Sequence, residues 1–452
     1  MDQQRLFGTD GVRGRAGEGW LATGPISALG RAAAREISKE SSSSTRRALV
    51  GHDGRRSGPE LEAAISRGLA AEGFEVDSTG LITTPGVALL ARMGEYDLAV
   101  MISASHNPAH DNGIKIFGQG GSKLADELES RIETAWRAAP EPVDEGPAPK
   151  HSADLEEQYL NYLVESASDL KLDGLTIVLD CANGGGSRVA PRVLGRLGAH
   201  VLTISSEPDG DNINDGCGAT QPSALRQEVR RVGADIGIAL DGDGDRCILV
   251  DEAGGTVHGD GILTLVARHG VQTGTIHPPK VVATVMSNRG LHRALRDVGV
   301  EVVTVGVGDR RVVEKLRDEE LMLGGEQSGH IVFGADNFHI GDGIYTALRV
   351  LRVMSGESRK LSELASPYDP FPQVLVNVPV SSKPSLAKIP AIASAVRSIE
   401  EHLGEDGRVL LRYSGTENLA RVMVEGPDAE WIEAKANELA ELIAREIGQL
   451  ES

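Results

Sequence analysis

Short apolar runs alternate with longer stretches of helical periodicity through about the first 365 residues, the pattern of strands and helices in α/β layers. RALVGHD (47–53) predicts a strand, and GPELEAAISRGLAAEGFE (58–75) a helix with Pro59 near its start. DLAVMI (97–102) predicts a buried strand that Asn107-Pro108 breaks into a turn. A second unit begins with LTIVLDCANGGGS (175–187), an apolar strand entering a glycine-rich turn, and continues with ADIGIALDGDGDRCILVDEAG (234–254), read as strand, loop, strand. A third runs from PKVVATVMSNRG (279–290) through EVVTVGVGD (301–309) and LMLGGEQSGHIVF (321–333) to a helix over GDGIYTALRVLRVM (341–354). The pattern then changes. PQVLVNVPV (372–380), an amphipathic helical stretch, RVLLRYSGTENLARVMVEG (408–426) and a closing helix over 428–448 predict a smaller α+β domain. With Pro and Gly crowding 139–150 as a linker, the expected divisions are 1–150, 151–257, 258–368 and 369–452. The three α/β units show no convincing sequence repeat.

Composition narrows the class. A chain of 452 residues exceeds one core, and 40% hydrophobic with 25% charged residues is ordinary for a soluble globular protein. The formal charge of −20 argues against nucleic-acid or membrane partners, which want basic surface, but not against an anionic substrate. The start MDQQRLFGTDGVRG lacks a signal peptide's apolar stretch, and no apolar run is long enough for a bilayer. Cys181, Cys217 and Cys247 have no metal-ligand spacing and cannot all pair within one chain. Reduced thiols in the cytoplasm are the simplest expectation.

Four loops carry candidate chemistry. In ALDGDGDRC, Asp241, Asp243 and Asp245 alternate with glycine after an apolar run. Carboxylates so crowded repel unless a cation compensates, and oxygen ligands favour a hard divalent ion, Mg²⁺ first. An EF-hand is excluded because Arg246 stands where its glycine belongs and the flanks read as strands. RYSGTENLAR sets Arg412 and Arg421 around Ser414, Gly415 and Thr416, a turn suited to phosphate. GGEQSGHI puts Glu326, Ser328 and His330 on alternate positions, able to line one wall and meet sugar hydroxyls. MISASHNP sets Ser105 at a strand's carboxyl end, where α/β sheets present ligand loops. Arg13, between glycines in FGTDGVRG, is a plausible anion contact. Phosphate-loop and G-x-S-x-G motifs are absent, and CANGGGS matches a dinucleotide loop only in its glycines.

Taken in order, SASHNP, DGDGDR, GEQSGH and RYSGTEN resemble the four functional loops of the α-D-phosphohexomutase superfamily, across essentially the whole chain. FGTDGVRG, GGEQSGHI, CGAT (217–220), VMSN (285–288) and VGDR (307–310) are most similar to its members acting on glucosamine phosphates. Gln221, His339 and Asn418 depart from the usual pattern of that group. The resemblance implies three similar α/β domains with mixed sheets and a smaller C-terminal α+β domain round a central cleft. It implies interconversion of glucosamine 6-phosphate and glucosamine 1-phosphate through a phosphoserine enzyme and a 1,6-bisphosphate. Ser105 would carry the phosphate, exposed at its corner, and one Mg²⁺ per chain would be held by Ser105, Asp241, Asp243 and Asp245. Lys115 and His330 are expected to move protons, with Arg246 offsetting the charge that shifts between phosphoryl oxygens, Arg13 as an anion contact and His106 supporting the serine loop. Glu326, Ser328, Asp309, Arg310, Arg412, Ser414, Gly415, Thr416 and Arg421 would bind substrate. A sugar 1,6-bisphosphate is the implied activator, a small phosphosugar the only partner, and a monomer or homodimer the implied state.

Overall fold

In the computed structural model, residues 5–8, 10–40, 46–138, 141–143, 145–414 and 418–448 are described, and their strands form four sheets. The backbone packs as two units. One runs to Met286 and resumes over Val300–Ser366; the other joins Ser287–Gly299 to the chain from Pro367 on.

The larger unit holds three mixed sheets, each flanked by helices. The first has strand order Val12–Arg15, Asp111–Phe117, Leu98–Ile102, Arg47–His52, Glu75–Leu81, Lys150–His151. The second is ordered Thr256–Val257, Cys247–Asp251, Ile236–Leu240, Thr176–Asp180, His200–Ile204. The third is ordered Glu301–Val305, Lys280–Thr284, Gly324–Gly325, Ile331–Val332. One device recurs in all three. A strand parallel to its neighbour runs into a loop and returns antiparallel: Leu98–Ile102 into Asp111–Phe117, Ile236–Leu240 into Cys247–Asp251, Gly324–Gly325 into Ile331–Val332. The serine, aspartate and Glu326–His330 loops are these three returns. Strands buried on both faces, such as Leu98–Ile102 and Ile236–Leu240, explain the uninterrupted apolar runs.

Two boundaries differ from the sequence expectation. The helix predicted over 58–75 stops at Ala71, because Gly73 turns left-handed at φ +85° and Glu75 already opens a strand. The linker stretch ends in a short strand, Lys150–His151 pairing with Asp77–Ser78 in the first sheet.

The smaller unit is an antiparallel sheet in the order Gln373–Pro379, Leu419–Glu425, Arg408–Tyr413. Helices Pro390–Leu403 and Ala429–Ile447 give it an apolar core of Val422, Ile392, Ile432 and Ile443. The helix Arg289–Arg296 joins this unit although its neighbours in sequence belong to the third sheet. Asn288 Oδ1 accepts from Phe371 N at 2.9 Å, and Arg289 N donates to Glu425 Oε1 at 2.5 Å. Among the described residues no helix is long and apolar enough to cross a membrane.

Candidate active site

The strand Leu98–Ile102 delivers the chain to Ser105, whose backbone is left-handed at φ +52°. Such a conformation is costly for a residue with a side chain and persists only where the surroundings impose it. A buried arginine imposes it here. Arg55 Nη2 donates to the carbonyls of Ser105 and Asn107 at 2.9 and 2.8 Å, and Nη1 to those of Asp111, at 2.9 Å, and Pro108. Its own charge is met by buried Asp53 at 2.9 Å. Asp53 also accepts from Ser103 Oγ at 2.6 Å, and that oxygen accepts from Ser105 N at 2.8 Å. From the second domain, Asn214 Nδ2 adds a bond to Ser105 O at 2.9 Å. The loop is thus rigidly held. Contrary to the expectation of exposure, Ser105 is only 1% exposed, because its hydroxyl turns inward and donates to Asp241 Oδ2 at 2.8 Å. His106 Nδ1 lies 3.4 Å from Ser105 Oγ, and burial, with Arg246 and Arg13 nearby, pushes that imidazole down to about 4.

Asp241, Asp243 and Asp245 are all buried and can each bring one carboxylate oxygen within 4.8 Å of the others. Among the described residues, Asp243 Oδ1 and Asp245 Oδ1 have no hydrogen-bond partner. Buried carboxylate oxygens left this way are costly unless a cation takes them. An all-oxygen donor set therefore fits a hard divalent ion. Burial first, then Asp245 and Asp243, raises the Asp241 carboxyl to about 8. Lys115 Nζ meets Asp243 Oδ2 and Asp10 Oδ2, each at 2.8 Å. Burial opposes its charge, but Asp10, Asp243 and Asp245 outweigh this and hold the ammonium well above its usual range. Arg246 N donates to Asp241 Oδ1 at 3.2 Å, and its Nε is 3.8 Å from Asp241 Oδ2.

The glycines of CANGGGS serve this loop. Gly185 N donates to Gly242 O at 2.8 Å, and a Cβ at Gly184 would lie 2.1 Å from that carbonyl. Close packing beneath the aspartates, rather than a nucleotide, accounts for the run.

In the third domain, His330 Nδ1 is 3.6 Å from Asp245 Oδ2 and Nε2 is 3.8 Å from Asp309 Oδ2. Burial would lower its pKa, but Asp245, Asp309 and Glu326 raise it to about 9. Glu326 and Ser328 face a cavity of about 570 Å³ with Arg246, His258, Thr284, Met286 and Val307. Glu326 Oε1 accepts from Gly308 N at 3.2 Å. Arg310 is engaged by Asp126 and lies 3.6 Å from Glu129. Arg13 Nη2 is held by Asp10 Oδ2 at 2.8 Å and its Nη1 is 3.4 Å from Ala104 O. The larger unit therefore gathers Ser105, the three aspartates, Lys115, His106, Arg13, Arg246, Asp309 and His330.

The smaller unit carries the remaining loop. Arg412 and Arg421 stand directly opposite in neighbouring strands, and burial and then Arg421 lower the Arg412 guanidinium. Like charges so paired destabilise a sheet unless an anion joins them. Ser414 is buried, with Lys383 Nζ on its carbonyl at 2.8 Å. Gly415 and Thr416 lie outside the described residues.

Models of the phosphoglucomutase/phosphomannomutase family match this chain in four consecutive stretches. They are alpha/beta/alpha domain I over residues 4–142, domain II over 157–255, domain III over 258–371, and the C-terminal domain over 375–442. The chain belongs to the phosphoglucomutase/phosphomannomutase family. Among curated members, the phosphoglucosamine mutase of Mycolicibacterium gilvum is 47% identical over 447 residues, spanning 98% of this chain and 99% of that one. The phosphoglucosamine mutase of an Anaeromyxobacter species is 45% identical over 456 residues, spanning 98% and 96%. Among solved structures, a family protein from Burkholderia thailandensis superposes with a TM-score of 0.81 at 25% identity, over 100% of this chain and 99% of that one. N-acetylphosphoglucosamine mutase of Aspergillus fumigatus, in complex with GlcNAc-6P and magnesium, shares the fold with a TM-score of 0.67 at 18% identity, over 97% and 95%.

The family's loops were visible as motifs, but their supports were not. Arg55, Asp53, Asn214, Asp10 and Lys123 escaped the sequence reading. Asp10 stood inside FGTDGVRG, three residues before Arg13, and that spacing was its only signal. Of the departures from the family pattern, Gln221 is exposed and Asn418 is exposed at the start of a strand. His339, left-handed at φ +61°, lines a cavity of about 240 Å³ that also reaches Lys115 and His330.

Proposed function

We propose that this enzyme interconverts glucosamine 6-phosphate and glucosamine 1-phosphate by way of a phosphate carried on Ser105. The observation that carries the reading is the Ser105 hydroxyl bonded to Asp241 at 2.8 Å within a buried cluster of three aspartates. The sugar assignment rests on 47% identity to a curated phosphoglucosamine mutase over nearly the whole chain.

In the first half-reaction, O1 of glucosamine 6-phosphate attacks the phosphoserine phosphorus and the bond to Ser105 Oγ breaks, giving the 1,6-bisphosphate. The sugar turns end for end. Ser105 Oγ then attacks the 6-phosphate, O6 departs, and glucosamine 1-phosphate leaves. Serine is a poor nucleophile, so positioning and charge neutralisation must carry most of the acceleration. Asp241, Asp243, Asp245 and the Ser105 phosphate would hold one Mg²⁺, which when bound neutralises phosphoryl charge.

Transfer to O1 releases a proton and departure of O6 consumes one, so one group can serve both halves. Lys115 and His330 remain the candidates, both held as cations here, the state the second half requires. The departing Ser105 Oγ takes up a proton in the first half and gives it up again before it attacks in the second. His106, kept neutral by burial, has Nδ1 3.4 Å from that oxygen and can receive that proton. Glu326 and Ser328 would bind sugar hydroxyls, and Arg412, Ser414, Gly415, Thr416 and Arg421 the distal phosphate. A bisphosphate that escapes leaves the serine bare, so a sugar 1,6-bisphosphate would restore activity.

The test compares glucosamine, glucose and mannose 6-phosphates on Mg²⁺-loaded protein primed with a sugar 1,6-bisphosphate. Preference for glucosamine 6-phosphate, abolished in Ser105→Ala, is the expected result. Preference for glucose or mannose would overturn the sugar assignment, and turnover by Ser105→Ala would overturn the mechanism.

A further inference from the structure

Six ionisable side chains beside the serine and aspartate loops close into a ring. Asp10 receives Lys123 Nζ on Oδ1 at 2.6 Å and Lys115 Nζ on Oδ2 at 2.8 Å. Lys115 Nζ lies 3.7 Å from Asp245 Oδ2, which lies 3.6 Å from His330 Nδ1. His330 Nε2 lies 3.8 Å from Asp309 Oδ2, and Asp309 returns to Lys123. Acidic and basic side chains alternate at every step. Three domains contribute: Asp10, Lys115 and Lys123 from the first, Asp245 from the second, Asp309 and His330 from the third.

Lys115 and His330 already have a proposed role in proton transfer. Asp10 and Lys123 do not, and neither bonds directly to Ser105 or to the three aspartates. Yet Asp10 is the shared partner of Arg13 and Lys115, and Lys123 is the link from Asp10 to the third domain. A lysine on a four-carbon stem keeps its ammonium at one point only when several fixed partners hold it. Reacting groups displaced by about 1 Å lose about a hundredfold in rate.

We propose that Asp10 and Lys123 are positioning residues for the phosphoryl transfer. Through them, Arg13 and Lys115 of the first domain and Asp309 and His330 of the third are set as one assembly about Asp245. Asp10 fixes the direction of the Lys115 ammonium and the Arg13 guanidinium. Lys123 holds Asp309 where it can orient the imidazole of His330.

The inference rests on the mutase reading, and its test keeps the two separable. Wild type, Asp10→Asn, Lys123→Gln, Lys123→Arg and the Asp10→Asn/Lys123→Gln double variant are assayed with all three hexose 6-phosphates, beside thermal melting. A wrong sugar would sink the substrate assignment alone, since the ring is read on whichever sugar turns over. The expected result is a fall in kcat of about a hundredfold for Asp10→Asn and at least about tenfold for Lys123→Gln, with KM changed less than about threefold. The double variant should be no slower than the worse single one, because both break the same ring. Lys123→Arg should recover most of the rate. If Asp10→Asn does not fold, the contrast of Lys123→Gln with Lys123→Arg decides. Unchanged kcat in folded Lys123→Gln, a loss confined to KM, or losses that multiply in the double variant would each overturn the proposal.

Discussion

Ser105 owes its position to a residue fifty places earlier. Arg55 is fully buried and spends its guanidinium on four carbonyls of the 105–111 loop and on Asp53. Removing it strips buried Asp53 of its counterion and four loop carbonyls of a shared donor, of which those of Ser105 and Asn107 keep only Asn214 Nδ2. Breaking a buried charge pair from one side costs about 3–5 kcal/mol. Arg55→Met is therefore expected to lower unfolding free energy by about that much in urea titration, and to slow phosphorylation of Ser105 in parallel. Arg55→Lys should rescue little, because a point charge cannot reach carbonyls spread along a loop. A loss below about 1 kcal/mol would mean the loop holds its left-handed turn unaided.

At the level of elements, the three hairpin loops depend on what abuts them. The helix Gly343–Glu357 starts against the aspartate loop, Gly343 N donating to Gly244 O at 3.0 Å. Its cap, Asp342, accepts from Ile344 N and Tyr345 N at 2.8 and 3.0 Å and from Tyr159 Oη at 2.8 Å. Burial outweighs those bonds and raises the carboxyl from 3.8 to about 6. The folded chain thus holds this proton more tightly than the unfolded one. Its contribution to stability is full below about pH 4 and is lost as pH rises through 6. Asp342→Asn keeps an acceptor for the cap without the charge. It should equal or exceed wild type in stability at pH 7, by up to about 3 kcal/mol, and lose that advantage towards pH 4. An advantage that grows on acidification would refute the burial argument.

In the smaller sheet, the facing pair Arg412 and Arg421 sets a different balance. Arg421→Gln removes one of two like charges that face each other across the strands. It should raise KM for the hexose 6-phosphate about tenfold with little change in kcat. A large fall in kcat at unchanged KM would remove Arg421 from phosphate binding.

For the molecule as a whole, legibility followed distance along the chain. The strands 98–102 and 236–240 and the groups they deliver, Ser105 and the three aspartates, were readable because each chemistry-bearing loop is contiguous. Arg55 with the 105–111 loop, Asn214 with Ser105, and Lys123 with Asp309 join residues fifty or more positions apart, and no local periodicity encodes such pairs. The same holds for the repeated parallel-loop-antiparallel device, which is a repeat of topology and leaves no sequence period. The packing of Ser287–Gly299 with the smaller unit is likewise a long-range choice, made by Asn288 with Phe371 and Arg289 with Glu425.

The central claim is that phosphate leaves Ser105 for the sugar and is replaced from it. The most direct measurement loads Ser105 with ³²P-phosphate and mixes the labelled, Mg²⁺-containing protein with excess unlabelled glucosamine 6-phosphate in a single turnover. The label should move from protein to the 1-phosphate of glucosamine 1-phosphate, with a labelled bisphosphate in transit and little inorganic phosphate. Label that stays on the protein while product forms, or that leaves as inorganic phosphate, would contradict the account.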